Sequence, residues 1–287
     1  MFVEQLINGT TLGVVYALVA LGYSMVYGVL RFVNFAHGDV CMVGAYVSLV
    51  MCSKFHLGLV PALIVSMAAA AALGMTIEKF AYFPLRNASK VTTMMSALGM
   101  SLLLSTMGQI LWGSITQPFP TVLKIQKWHV FGAHANSLQL IMFLVCVALF
   151  VVLQILVQKS TIGKALRATS QDREAALLMG INTDNVISFT FLVASAYAAV
   201  AGTFIGIYYD AVYPTMGGML GTRAFTAAIL GGIGNIPGTV LGGLILGIAE
   251  GLGAAYISTL WRDGIAFMIM ILVLLVKPSG LLGRAQR

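Results

Sequence analysis

A succession of long apolar runs constrains this chain more than any other feature. The runs cover about residues 10–30, 36–53, 58–77, 91–113, 138–157, 186–209, 222–257 and 261–276. A helix needs about 20 apolar residues to cross a bilayer, and most of the runs are long enough. Only 9% of the residues are charged, against about 25% in a soluble domain. The sequence therefore predicts an all-α fold, a polytopic transmembrane helical bundle in which residues 1–287 form a single domain.

The number of spans depends on the run 222–257, which is too long for one crossing. Glycine and proline interrupt this run at Gly231, Gly232, Gly234 and Pro237. It forms either two spans or one span followed by a half-helix that re-enters the membrane, so we predict eight or nine spans. The first run is expected to remain as a helix, because residues 1–7 contain Glu4 and lack the basic start of a cleavable signal.

Basic residues are distributed unevenly between the segments that separate the runs. Of the 16 Lys and Arg in this chain of net charge +7, eleven lie at Arg31 or in the segments 78–90, 158–185 and 277–287. The other five are Lys54, Lys124, Lys127, Arg223 and Arg262. The positive-inside rule predicts that the larger group is cytoplasmic, and parity then favours nine spans. Because the charges are scattered between apolar runs, they do not indicate a nucleic-acid surface.

The longest polar segment on the predicted cytoplasmic side is 158–185, QKSTIGKALRATSQDREAALLMGINTDN. Thr169 to Asp172 can form a capping box, and Asp172 and Glu174 would lie in the first turn of a short helix, where acidic residues suit the helix dipole. The next five residues are apolar, and Gly180 can end the helix. A segment of this kind between two spans either docks onto another protein or serves as an amphipathic connector.

Residues 174–180, EAALLMG, fit the pattern Glu-Ala-Ala-x-x-x-Gly. This pattern resembles the EAA loop of ABC importer permeases, the coupling helix that fits a groove on the ATPase subunit. The flanking GKALRA at 163–168 and QDR at 171–173 resemble the version in branched-chain amino acid permeases. The coupling residues that the resemblance implies are Gly163, Arg167, Asp172, Arg173, Glu174, Ala175, Ala176 and Gly180.

Three further stretches resemble the same branch of permeases. They are NGTxLGxxYAL at 8–18, YGV and NFAHG within 27–38, and AFTAAILGGIGNIPG at 224–238. The resemblance is nearest to the H-type permease of the high-affinity leucine, isoleucine and valine importer of the bacterial inner membrane. It implies three kinds of partner besides membrane lipid: an M-type permease, two ABC ATPases and a periplasmic substrate-binding protein.

The chain itself is expected to be a transport subunit and not an enzyme. It contains no GxxxxGK[ST] loop, so we expect no cofactor, with ATP bound by the partner ATPases. The three cysteines, at positions 41, 52 and 146, lie in apolar runs without metal-ligand spacing, and we expect them to be small buried residues.

Polar or helix-breaking residues inside apolar runs are candidates for the translocation path, because such residues rarely face lipid. The candidates are Asn34, His37, Gly231, Gly232, Gly234, Asn235 and Glu250. Asn34 and His37 either start a helix, with Asn34 as its cap and His37 bonded to backbone, or contact substrate. Glu250 is either paired within the bundle or lines the path.

Glycine spacing and a short repeated pattern add two expectations about packing. Gly243, Gly247 and Gly251 share one helix face, which favours close helix packing. Residues 8–22 and 237–251 share the pattern Gly-Thr-x-Leu-Gly, which suggests two related halves.

Two other kinds of transporter remain as alternatives, besides a passive channel. The first is an ABC permease for urea or short amides, whose sequences are similar. The second is an ion-coupled secondary transporter, which usually needs charged residues at the membrane midplane. Only Glu250 and Asp39 are candidates for that role, and a secondary transporter has no need of the docking segment.

Overall fold

The computed structural model describes residues 2–86, 88–121, 126–130 and 133–283. These residues form eleven α-helices: α1 (Phe2–Leu30), α2 (His37–Ser53), α3 (Leu59–Ile77), α4 (Lys90–Trp112), α5 (Ser137–Lys159), α6 (Thr161–Gln171), α7 (Arg173–Leu178), α8 (Thr183–Tyr209), α9 (Met216–Gly231), α10 (Ile236–Tyr256) and α11 (Arg262–Val276). Three of the basic residues that were counted to predict the orientation lie outside the described residues: Lys124, Arg284 and Arg287.

Short elements join some of these helices. A π-helical turn, Glu78–Tyr82, and a 3-10 turn, Phe83–Leu85, extend α3, and a 3-10 turn, Thr259–Trp261, precedes α11. A two-stranded antiparallel hairpin, β1 (Lys127–Val130) and β2 (Ala133–Asn136), lies before α5. This hairpin and an isolated antiparallel bridge between Gln117 and Val212 depart from the predicted all-α fold among the residues that the structure describes.

Within the described residues, seven helical segments are long and apolar enough to cross a membrane. They are α1, α3 with the two turns that extend it, α4, α5, α8, α10, and α11 together with the 3-10 turn before it, which span Thr259–Val276. Helices α2 and α9 have 17 and 16 residues, so each is about 25 Å long at 1.5 Å per residue, shorter than the hydrocarbon core of about 30 Å. The run 222–257 does divide in two, because α9 ends at Gly231 and α10 begins at Ile236.

Helices α1 and α8 form the centre of the bundle, and α11 lies at its edge. In the most apolar window of α1 and of α8, 89% of the residues are buried, against 6% in α11. Helices α3, α4 and α5 also expose most of their apolar windows. Exposed apolar helices around a buried centre are the arrangement expected of a multi-pass membrane protein, whose outer surface faces lipid.

Close packing of α1 against α10 depends on glycine in both helices. A Cβ atom at Gly243 would lie 2.6 Å from the backbone of Ala17, and one at Gly251 would lie 3.0 Å from Gly9 Cα. Gly247 meets the backbone of Gly13 more closely still. The prediction of tight packing along this face is confirmed.

Two connectors of the bundle share one backbone geometry. Residues 31–36 join α1 to α2, and residues 210–215 join α8 to α9. Each connector starts with a non-glycine residue of positive φ, Arg31 at 58° and Asp210 at 49°. Each ends with a backbone hydrogen bond of 3.1 Å, from His37 N to Asn34 O and from Met216 N to Tyr213 O.

The connectors relate a different pair of chain segments from the pair that the repeated sequence pattern suggests. The shared pattern at 8–22 and 237–251 falls on α1 and α10, which pack against each other, whereas the matching connectors relate α1–α2 to α8–α9. The starts of the two short helices also meet, because Gly38 contacts the backbone of Gly217 and Gly221.

Candidate coupling and translocation sites

Helix α6 begins with a tight reversal after α5. The Ser160 side chain caps α6 by accepting a hydrogen bond of 2.9 Å from Gly163 N. A Cβ atom at Gly163 would collide with the carbonyl oxygens of Leu156 and Val157. Glycine at this position therefore allows α6 to turn back against the end of α5, and the Arg167 guanidinium donates to the Val157 carbonyl across the same turn.

The start of α7 is capped by a single side chain. Asp172 Oδ1 accepts hydrogen bonds from Glu174 N at 2.9 Å and Ala175 N at 3.0 Å. The predicted capping box from Thr169 is wrong, because α6 continues to Gln171 and places Thr169 inside a helix. There the Thr169 hydroxyl donates to the Ala165 carbonyl at 2.8 Å.

The end of α7 lies at Gly180, as the sequence predicts. Gly180 has φ of 81°, a left-handed conformation that glycine adopts without steric cost. Its N–H donates to Leu177 O at 3.0 Å, and Ile181 N donates to Ala176 O at 3.0 Å. This pair of hydrogen bonds is a Schellman motif.

Helix α7 presents apolar side chains on the outside of the molecule. Ala176 is buried, whereas Leu178 is 89% exposed and Met179 is 82% exposed. Glu174 and Ala175 are exposed beside them. Exposed apolar residues among polar ones mark an interaction surface, and we call Leu177, Leu178 and Met179 the α7 tip.

A charge cluster ties this segment to the loop after α3. Arg86 forms ion pairs with Glu78 and Asp184, and Arg173 of α7 lies 3.6 Å from Asp184. Ser188 also donates to Glu78 Oε2 at 2.9 Å. In the sequence, the charges of 78–90 indicate only the orientation of the chain, and the cluster was not predicted. Glu78, an acidic residue directly after an apolar run, was the one local signal of it.

A second link joins the 158–185 segment to the end of α1. The Arg31 guanidinium donates to the Ser170 carbonyl at 2.8 Å. Together with the Arg86 cluster, this contact brings Arg31, 78–86 and 158–185 to one end of the bundle. The C-terminal residues 277–283 lie at the same end, because they cover the α9–α10 turn, which in turn contacts Ser24 of α1.

Asn34 and His37 lie buried around the α1–α2 connector. Asn34 Oδ1 accepts hydrogen bonds from Tyr82 Oη at 2.6 Å and Ala36 N at 3.1 Å. The cap of α2 is Ala36 without a side-chain bond, so Asn34 holds the connector and does not cap the helix. The His37 ring lies 3.2 Å from Val19 O, which is the backbone partner that one alternative anticipated.

Glu250 is paired within the bundle. Glu250 Oε2 accepts a hydrogen bond of 3.0 Å from Tyr16 Oη, and Glu250 Oε1 lies 3.3 Å from Arg223 Nε. Arg223 Nη2 donates to Asp263 Oδ1 at 2.8 Å. Arg223, which was counted in the sequence with the five basic residues of the non-cytoplasmic side, lies inside α9 and is buried, where a paired arginine is tolerated.

The glycine-rich turn between α9 and α10 is covered by the C-terminal segment. Gly232 and Gly234 have φ of 102° and 90°. Leu281 N and Leu282 N donate to the carbonyls of residues 230 and 231 at 2.8 and 3.1 Å, and Asn235 Nδ2 donates to Leu282 O at 2.7 Å. The backbone groups that the helix break frees are therefore bonded within the protein.

The path candidates lie in three settings with different partners: the α1–α2 connector, the α9–α10 turn and the Arg223–Glu250 pair. Their chemistry is that of carboxylate, guanidinium, amide and hydroxyl groups. Cys41, Cys52 and Cys146 are buried free thiols. In the part of the chain that the structure describes, no group of three or more His, Cys, Asp or Glu side chains is placed to hold a metal ion.

Known proteins resemble this chain over nearly all of its length. It is 42% identical to the high-affinity branched-chain amino acid transport system permease protein LivH of Escherichia coli (strain K12), covering 99% of this chain and 96% of LivH. It is 39% identical to the corresponding permease protein BraD of Pseudomonas aeruginosa, covering 99% and 97%.

A solved structure and a family profile agree with these relatives. PsaBC from Streptococcus pneumoniae in complex with Fab contains a chain of the same fold, with a TM-score of 0.51 and 14% identity over 95% of this chain and 91% of that one. The profile described as branched-chain amino acid transport system, permease component, matches residues 5–274. The resemblance predicted from the sequence is confirmed, and the chain belongs to the branched-chain amino acid transport system permease family.

Proposed function

We propose that this chain is one of two membrane-spanning permease subunits of an ATP-driven ABC importer for leucine, isoleucine and valine in the bacterial inner membrane. The observation that carries the proposal is the similarity over 99% of the chain to permeases named for high-affinity branched-chain amino acid transport. The partners are an M-type permease, two ABC ATPases and a periplasmic binding protein. ATP binds to the ATPases, and this chain forms half of the translocation pathway.

In the proposed topology one transmembrane domain, residues 1–287, crosses the membrane nine times. Helices α2 and α9 complete their crossings with the connectors 31–36 and 210–215. The segments 78–90 and 158–185 and the C-terminal residues then lie in the cytoplasm. The contacts of Arg86 with Asp184 and of Arg31 with Ser170 support this arrangement, because they join these basic segments at one end.

The segment α6–α7 is the proposed coupling element, which docks into a groove of an ATPase. Its α7 tip supplies apolar contact area, and Glu174 supplies a charge beside it. Gly163, Asp172 and Gly180 set its shape, as the reversal, the cap and the Schellman motif show. Arg167, Arg173, Ala175 and Ala176 complete the set of coupling residues, with Arg173 directed at Asp184.

Motion of α7 would reach the membrane through the Arg86 cluster. Arg173, Asp184 and Arg86 lead to Glu78 in the π-helical turn. The same turn contains Tyr82, which bonds Asn34 next to the start of α2. π-Helical turns occur often at functional sites. When the ATPases close on ATP, this chain of contacts would shift the connector and α2, and the permease pair would alternate its opening.

The path residues have three proposed roles. Asn34 and His37 position the start of α2 beside α9, and Glu250 holds Arg223 within the bundle. Gly231, Gly232, Gly234 and Asn235 form a turn that moves with the C-terminal segment.

The test is uptake of radiolabelled leucine in cells lacking this chain, with urea as the control substrate. Wild type restores high-affinity leucine uptake, whereas Glu174→Lys and Gly180→Phe insert normally and restore none. If cells lacking this chain lose urea uptake and keep leucine uptake, the substrate is urea or a short amide. Leucine uptake that persists without the ATPases and follows an ion gradient would replace the ABC mechanism with a secondary transporter.

A further inference from the structure

A cavity of about 200 Å³ opens between α9 and α11. Its lining includes two charged side chains, Arg223 and Asp263, and the hydroxyl-bearing Thr222. Met219 and Phe267 add apolar walls. The cavity therefore combines opposite charges with apolar surface, which is the composition expected of a site for a small amphipathic ligand.

The two charges differ in how far they are free to meet a ligand. The Arg223 side chain is 6% exposed and is held from behind by Glu250 and by the Tyr16 hydroxyl. The Asp263 side chain is 63% exposed. One oxygen of Asp263, Oδ1, accepts from Arg223 Nη2 at 2.8 Å. Asp263 thus presents a carboxylate to the cavity, with a fixed guanidinium beside it.

The cavity must open onto water or onto another protein. A carboxylate and a guanidinium facing hydrocarbon are costly, and such residues in membrane proteins line aqueous paths or protein interfaces. In helix α11, which forms one wall, only 6% of the residues in the apolar window are buried. The side of the bundle formed by α9 and α11 is therefore where the pathway shared with the second permease would run.

We propose that this cleft is a translocation subsite for the zwitterionic end of the amino acid, with the substrate carboxylate at Arg223 and the substrate ammonium at Asp263. Met219 and Phe267 would contact the aliphatic side chain. The inference rests on the proposed function, because it takes the substrate to be a branched-chain amino acid.

The charges of this subsite are paired both when it is empty and when it holds substrate. Without substrate, Arg223 and Asp263 satisfy each other. With substrate, the single ion pair is replaced by two, guanidinium to carboxylate and carboxylate to ammonium, so no charge is left unpaired. Glu250 and Tyr16 keep the guanidinium in place during the exchange. A site that exchanges pairs in this way binds weakly and releases readily, as a passage requires.

Asp263→Asn tests the ammonium contact in the complete transporter, reconstituted with both permeases, the ATPases and leucine-loaded binding protein at saturation. We expect leucine transport to fall by about tenfold, the cost of one charge-assisted hydrogen bond, with ATP hydrolysis unchanged. Glu4→Gln is the matched control, because it removes an acid from the first turn of α1, at the same end of the bundle and away from the cavity. Equal transport in the two variants would overturn the subsite.

Thiol labelling tests access to the cleft independently of transport. Thr222 and Thr76 each donate their hydroxyl to the carbonyl four residues earlier, so Thr222→Cys and Thr76→Cys are closely matched. A membrane-impermeant thiol reagent should label Thr222→Cys and leave Thr76→Cys, on α3, unlabelled. Leucine-loaded binding protein with ATP should slow the labelling of Thr222→Cys. Labelling that is absent, or unaffected by substrate delivery, would overturn the proposal.

The two proposals fail in different ways. If wild-type transporter carries no leucine, the proposed function fails. If wild type carries leucine and Asp263→Asn carries it equally well, the function stands and the subsite fails.

Discussion

Two arginines of this chain have nearly the same partners in different surroundings. Arg86 lies between Glu78 and Asp184, and Arg223 lies between Glu250 and Asp263. In both clusters the arginine and glutamate side chains are at most 8% exposed, whereas the aspartates are 50% and 63% exposed.

The clusters differ in what the aspartate meets. Asp184 has a second partner, Arg173 of α7, so the Arg86 cluster joins chain segments at the end of the bundle. Asp263 faces the α9–α11 cavity, so the Arg223 cluster keeps one carboxylate directed at open space. A buried Arg–Glu pair with a more exposed aspartate thus supports two roles, and the setting of the aspartate decides which.

The largest effect is expected from Arg223→Met. It leaves Glu250 buried without its cation, and breaking a buried ion pair costs about 3–5 kcal/mol. Denaturant titration of the purified permease in mixed micelles measures the loss. The double variant Arg223→Met/Glu250→Leu is the control and should recover most of the stability, because no charge is left unpaired. Equal stability of Arg223→Met and wild type would contradict the expectation that Glu250 needs a cationic partner in this buried position.

Arg86→Met should cost less, about 1–3 kcal/mol. Glu78 keeps the Ser188 hydroxyl as a partner, and the half-exposed Asp184 shows that water reaches the cluster. The same titration measures the stability, and leucine transported per ATP hydrolysed measures coupling, which should fall. A stability loss as large as that of Arg223→Met would contradict the difference in surroundings.

Local features of both regions could be predicted from the sequence. Gly180 ends α7, the 222–257 run breaks after Gly231, and the Gly243–Gly251 face packs closely, because each depends on a residue type at a fixed spacing along one helix. The α7 cap was misplaced by three residues, since a Thr-x-x-Asp pattern does not show whether the preceding helix continues through the threonine.

The sequence marks Glu78 and Glu250 as unusual acidic residues, but the partners that complete the two charge clusters could not be predicted. Arg86 and Asp184 are 98 positions apart, and Arg223 meets Tyr16 across 207 positions, so no local pattern links them. The positive-inside rule counts basic residues in the loops that flank membrane spans. Arg223 does not lie in a loop but inside α9, and only the tertiary structure shows that Tyr16, Glu250 and Asp263 surround it.

Tyr82→Phe should have a smaller effect, about 1 kcal/mol, the usual net value of one hydrogen bond. It removes the bond to Asn34 Oδ1, which retains Ala36 N as a donor. If the Arg86 cluster acts through this contact, transport per ATP should fall while the ATPase rate is kept. Tyr197→Phe is the control, because its hydroxyl bonds the Leu149 carbonyl away from the connector. Equal transport per ATP in both variants would show that coupling does not depend on the hydrogen bond between Tyr82 and Asn34.

The smallest change in stability, below about 1 kcal/mol, is expected for Asp184→Asn and Asp263→Asn, because exposed ion pairs contribute little. This pair of variants compares the two clusters most directly. Asp184→Asn loosens α7 from the segment 78–86. ATP hydrolysis should therefore continue, while less leucine is carried and the binding protein stimulates hydrolysis less.

Asp263→Asn should reduce leucine transport and leave that stimulation intact, because the coupling segment is unchanged. Stimulated ATPase rates and leucine transport, measured side by side in proteoliposomes, separate the two outcomes. If both variants lose stimulation equally, the Arg223 cluster belongs to the coupling route and not to the passage. If neither variant loses transport, both aspartates serve only to balance the charge of the arginines. The shared arrangement of the two clusters would then contribute to stability and not to transport.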